Sequence, residues 1–207
     1  MKKSMKKLVV FVMVFTIVVF IVSTKMVNAK DAMKTIEGTY AITGQTTCLA
    51  SGSGFNDDMT PKLPGWMIQT INVLGTFTFN PDGTGECHRY MNALTFNTGD
   101  NVNSRANITV SVCDFPFTYF FNLDGTFTIT NSEPVTGTSL LPVPGPDQAR
   151  TYEINKVGFI GVFSKDTKSI ILSAEPIVST IHQYKEDGSQ ISSVDRICIH
   201  SYVLLPL

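Results

Sequence analysis

Thr70-Ile71-Asn72-Val73-Leu74-Gly75-Thr76-Phe77-Thr78-Phe79-Asn80-Pro81-Asp82-Gly83-Thr84 is the stretch that decides the fold class. Ile71, Val73, Phe77 and Phe79 share one parity, and Thr70, Asn72, Thr76 and Thr78 fill the other. A period of two, rich in β-branched and aromatic residues, marks a strand with one buried face. The Pro-Asp-Gly that follows ends it, because glycine supplies the positive φ that a tight hairpin needs. The same solution returns at Phe120-Phe121-Asn122-Leu123-Asp124-Gly125-Thr126, followed by Phe127 and Ile129 alternating with Thr126, Thr128 and Thr130.

Outward from these hairpins, Asp187-Gly188 splits another pair of alternating runs, and a polar reversal at 164–168 separates two more. The pattern predicts nine strands, at about 36–48, 67–79, 84–95, 105–121, 126–130, 150–163, 168–174, 177–185 and 191–204. If successive strands run up and down, the tight turns after 79, 122, 163 and 185 share one end. The long connections 49–66, 97–104 and the proline-rich 131–148, with a short Glu175-Pro176 link, share the other. The expectation is all-β: an up-and-down antiparallel barrel of eight or nine strands shaped as a cup, since closure removes exposed edges. A β-sandwich is the alternative.

The N-terminus reads as an address. Lys2, Lys3, Lys6 and Lys7 precede an apolar run from Leu8 to Val22, and Val27-Asn28-Ala29 suits signal-peptidase cleavage after Ala29. Residues 1–29 are expected to be a signal peptide and 30–207 a single domain, periplasmic or extracellular; an uncleaved N-terminal anchor is the alternative. The run is shorter than the roughly 20 apolar residues of a spanning helix, and the mature domain is not expected to span the membrane. Without residues 1–29 the chain carries eleven basic and seventeen acidic residues, a balance that disfavours nucleic acid.

Cys48, Cys87, Cys113 and Cys198 have no zinc-ligand spacing, and in an oxidising compartment four cysteines read as two disulfides. A symmetric hairpin centred near Asp100 places Cys87 opposite Cys113. That leaves Cys48 to tie the first strand to the last through Cys198.

Tyr40, Ile42, Ile71, Val73, Phe77, Phe115, Phe117, Tyr119, Phe127 and Ile129 fall on the buried face. Of these, Tyr40, Ile71, Phe77, Phe115, Phe117, Tyr119 and Phe127 are the candidate ligand-binding residues of an apolar cup; the competing reading is that they simply fill the barrel. Phe55, Met59, Trp66, Leu140 and Leu141 are apolar residues on long loops, candidates for a gate or for a cap. His182, Ser193 and Asp195 fall near one another across the Asp187-Gly188 hairpin, the residue types of a nucleophilic triad, but no nucleophile elbow or oxyanion donor accompanies them. Outer barrel faces produce such trios by chance. His88-Arg89-Tyr90 could meet an anion, and His200 shares parity with Cys198 and Arg196. Asp82 and Asp124 offer too few oxygens for calcium. No metal or other cofactor is expected.

Gly38-Thr39-Tyr40 at the first strand, the long 49–66 connection and Arg196 on the last strand resemble the calycin barrels, the group of lipocalins and fatty-acid-binding proteins, with Tyr40 in place of a tryptophan. The resemblance implies that Arg196 packs over the Tyr40 ring and that 49–66 is a lid. Arg196-Ile197-Cys198, with the cysteine after the first strand, is also similar to small exported bacterial proteins. The leading expectation is an exported binding protein for a small apolar or amphipathic ligand. A cell-envelope or extracellular interaction module with a filled barrel comes next, and a barrel hydrolase or cyclase third.

Overall fold

The structure, a computed structural model, describes residues 36–62, 65–97, 107–140, 149–164, 169–175 and 177–207. The expected export segment and Leu141 lie outside these residues. Among the described residues there are eleven β-segments: β1 (Gly38–Ser51), β2 (Trp66–Phe79), β3 (Thr84–Asn97), β4 (Asn107–Phe121), β5 (Phe127–Asn131), β6 (Val135–Leu140), β7 (Ala149–Ile154), β8 (Gly158–Phe163), β9 (Ile170–Ala174), β10 (Val178–Tyr184) and β11 (Gln190–Pro206). All pair antiparallel, and β1 pairs with β11 to close the sheet into a barrel.

Eleven segments make eight wall positions. β5 and β6 both pair with β4, β9 and β10 both pair with β11, and β7 and β8 continue one another between them. A ring β1-β2-β3-β4-β5-β8-β9-β11 forms the half of the barrel that holds the 80–83 hairpin, called lower here. A second ring, in which β6, β7 and β10 replace β5, β8 and β9, forms the upper half. The three broken strands are adjacent, so their interruptions make a seam in the wall. Asn131 and Asn155 bridge it with their side chains: Val157 N donates to Asn131 Oδ1 at 2.7 Å and Thr180 N to Asn155 Oδ1 at 2.8 Å.

The seam corrects the strand count. The expected strand 150–163 is two pieces, and Ile154 and Val157 both point inward, so one residue has been inserted and the parity flips. Glu175-Pro176 is not a reversal. β9 and β10 run in the same direction, both along β11. A proline has no N–H to give to a ladder, which makes an interrupted strand and a turn look alike in sequence. The segment expected as a loop at 131–148 contains β6. Removing the false reversal moves the Lys185–Ser189 turn to the upper end, so the turns after 79, 122 and 163 share the lower end without it.

Cys48 and Cys198 face each other across β1 and β11 and are joined as a disulfide. Closing so long a loop stabilises by about 5 kcal/mol through the unfolded chain. The second expected bridge is absent: Cys87 and Cys113 are buried free thiols. Cys87 faces Phe115 and Cys113 faces Arg89, two residues off the symmetric alignment. That makes the cysteines diagonal neighbours, roughly 7 Å apart, beyond the Cβ reach of a disulfide.

Candidate functional site

The lower half is solid. Phe77, Phe79, Phe117, Phe127 and Phe159 are at most 1% exposed. Most of their ring contacts are edge-on or tilted: Phe77 to Phe117 and Phe79 to Phe117 at 5.3 Å between centroids, Phe79 to Tyr119 at 5.2 Å, Tyr40 to Phe79 at 5.6 Å. Glycines leave space for them. A Cβ on Gly161 would stand 2.1 Å from the Phe127 ring. Tyr119 closes the lower end by donating its hydroxyl to Asn80 O at 2.6 Å.

Above this plug the lumen opens into a cavity of about 110 Å³. Its wall includes Arg89, Ser111, Ser139, Tyr152, Arg196 and His200, with Glu175, Lys156 and Gly158 where the seam reaches it. Arg89 is 3% exposed, its guanidinium lying 4.8 Å above the Phe115 ring and 3.6 Å from Cys113 Sγ, and its Nε has no partner. Arg196 is half-buried because it borders the cavity, and its Nε donates to Ser179 Oγ at 3.3 Å. Burial first, and the Arg89 charge second, pull the Arg196 guanidinium down to about 10. Both arginines therefore stay charged at neutral pH. Burial, then Arg89 and Arg196, push the His200 imidazole down to about 3, so it is neutral. It bonds to Thr46 Oγ1 at 2.7 Å and to the Tyr202 hydroxyl at 3.1 Å, and Thr46 also bonds to Tyr202. Burial raises the Tyr152 and Tyr202 hydroxyls, which remain protonated donors.

Two guanidiniums, Arg89 and Arg196, border this cavity. Charges taken out of water are normally paired, yet among the described residues the one salt bridge joins His88 to Asp114 on the outer wall. Neither Arg89 nor Arg196 has a carboxylate partner. Guanidinium forks with serine and tyrosine hydroxyls around them match an oxyanion.

The residues singled out by sequence divide between these regions. Tyr40, Ile71, Phe77, Phe115, Phe117, Tyr119 and Phe127 all point inward and are buried, but of the seven only Ile71 borders the cavity. Arg196 does not lie over Tyr40. Tyr40 stands opposite Pro206, ten residues along β11, and Arg196 stands opposite Ala50. Phe55 pairs with Pro61 and borders a rim depression with Lys62, Ser193 and Asp195; Met59 is exposed; Trp66 begins β2 half-buried; and Leu140 ends β6. His182 does face Ser193, but Asp195 accepts a hydrogen bond from Thr180 Oγ1 at 2.8 Å, and His182 Nδ1 is buried without a partner. No hydrogen bond among the described residues links the three. His88 lies outside, against Asp114 and edge-on to Tyr90.

Sequence reasoning missed Arg89 as an interior residue. Its signal was parity: Cys87, Arg89 and Ala93 alternate inward on β3.

No family model matches this chain, and no curated protein matches it. Among solved structures, the backbone of the outer membrane protein Ail from Yersinia pestis, in a phospholipid bilayer nanodisc, is similar at 10% sequence identity and a TM-score of 0.37, with 82% of this chain and 100% of that chain covered.

Proposed function

We propose that this chain is an exported barrel that binds a small anion in the upper half of its lumen. The observation that supports the reading is the pair of arginines, Arg89 and Arg196, set around one cavity with no carboxylate partner among the described residues. Export rests on the lysine-led apolar run at residues 2–22. The volume restricts the ligand: about 110 Å³ holds several waters at roughly 10–15 Å³ each, hence a molecule of few heavy atoms rather than a long acyl chain. A short carboxylate fits this space, its head on the guanidiniums and its carbon atoms beside Ile71 and Ile154.

The test is calorimetric titration of the purified mature chain with propionate, sulfate and phosphate at low salt. At least one should bind, and Arg196→Met should weaken it at least tenfold, since a charge-assisted bond contributes about 1.5–3 kcal/mol. Failure of all three anions to bind would sink the reading.

The solid lower half supports a second reading, an exported interaction module in which the barrel is a rigid support for its rim. In that case anions leave the protein unaffected, while changes at Phe55 and Lys62 reduce capture of its partner.

A further inference from the structure

The cavity wall also carries a carboxylate. Glu175 lies on its wall at the seam, where the ladder between β8 and β9 ends: Glu175 N donates to Gly158 O at 3.1 Å, and Ile177 N turns back to Glu175 O at 2.8 Å. Its Oε2 is buried, and no donor among the described residues reaches it. Lys156 also borders the cavity but forms no salt bridge with it, and neither do Arg89 or Arg196. Gly158 provides the place where this carboxylate rests. A Cβ at 158 would stand 2.3 Å from Glu175 Oε2, so any other residue there displaces the acid. A buried carboxylate oxygen without a donor is costly, and it is relieved by a cationic N–H group brought to it.

We propose that the ligand is a small zwitterion, an amino acid in the broad sense, with its carboxylate on Arg89 and Arg196 and its ammonium on Glu175. This rests on the anion-binding reading above and adds the second charge. One cavity lined by two guanidiniums and by an unpaired acid at the seam complements a molecule carrying both signs. A plain carboxylate of the same length leaves Glu175 unsatisfied. A plain amine leaves the arginines so.

Calorimetric titration of the mature chain with matched compounds separates the two claims. Glycine, β-alanine and 4-aminobutyrate vary the distance between the charges; acetate, propionate and butyrate are their counterparts without the ammonium. At least one amino acid should bind tenfold or more tighter than its counterpart, and Glu175→Gln, which keeps the shape of the side chain, should reduce that ratio below twofold. Arg196→Met should weaken both series. Equal affinity within every pair, or a ratio that survives in Glu175→Gln, overturns the zwitterion while leaving the anion site standing. If neither series binds, both readings fall together.

Discussion

The two halves of this barrel share strands β1 to β4 and β11, yet they have opposite interiors. Below, the inward positions carry aromatic or aliphatic side chains, the Cys87 thiol, or glycines that make room for the rings. Above, the same strands turn Thr46, Arg89, Ser111, Arg196 and His200 inward around free space. Closure and alternation are common to both, so neither requires a filled lumen. What differs is the energetics: apolar area removed from water stabilises the lower half, while the upper half holds desolvated charge that stability alone does not select. Function is therefore expected where stability is given up, above the aromatic plug.

The sharpest test of that division is Phe117→Ala. Its ring touches Phe77 and Phe79 and has no exposure to speak of. Truncating it should cost about 3–5 kcal/mol in urea unfolding and leave anion affinity within about twofold. A loss of affinity comparable to that of Arg196→Met would show that the halves are not independent.

Acid titration probes the upper half. The unfolded His200 takes up a proton near its ordinary value of about 6.5, and the folded one only near 3. Between those limits the unfolded state binds more protons, so this group makes stability fall as the pH is lowered from about 6.5 towards 3. The expected loss is a few kcal/mol, and His200→Gln should flatten that part of the profile. A slope unchanged by the substitution would mean that the imidazole is not held neutral in the lumen.

The sequence carried the lower half well because its signals are local. Phe77-Thr78-Phe79 alternates into one Asn-x-Asp-Gly-Thr turn and Phe127-Thr128-Ile129 alternates out of another, and the register of β1 with β11 follows once Cys48 is placed opposite Cys198. The upper half was harder to read for identifiable reasons. Pro176 reads as a turn in the sequence although β9 and β10 keep one direction along β11, and an inserted residue between Ile154 and Val157 flips the parity within one wall line. The two-residue offset between β3 and β4, which turns Cys87 and Cys113 into diagonal neighbours, lies in the pairing register, and no sequence pattern announces it. Arg89 and Glu175 then take on meaning only through residues distant in the chain: Arg196 across the lumen and Gly158 across the seam.

The turns at the two ends extend the contrast, and they lead to the smallest expected effect. At the lower end Asn80–Thr84 and Asn122–Thr126 share one hydrogen-bond pattern. The threonine N donates to the aspartate Oδ1 at 3.0 Å in both, the threonine Oγ1 to the same oxygen at 2.6 and 2.7 Å, and the asparagine Nδ2 to the threonine Oγ1 at 3.0 and 2.8 Å. The threonine bonds hold both aspartates below the usual carboxylate range. At the upper end Asn56-Asp57-Asp58-Met59-Thr60 repeats all three bonds, at 3.0, 2.6 and 2.9 Å, although no glycine marks it. Met59 occupies the position of Gly83 and Gly125 with φ at 64°, a left-handed conformation that costs a residue with a Cβ roughly 1 kcal/mol. Met59→Gly should therefore stabilise the fold by about 0.5–1 kcal/mol, the relief being partly offset by the freer unfolded chain. The measurement is a higher urea midpoint at constant m. Met59 is 47% exposed, so the substitution gives up little packing that could mask the gain. A lowered midpoint would mean that its side chain caps the rim, as a gate residue does, and that the upper end keeps a strained turn for the sake of its lumen.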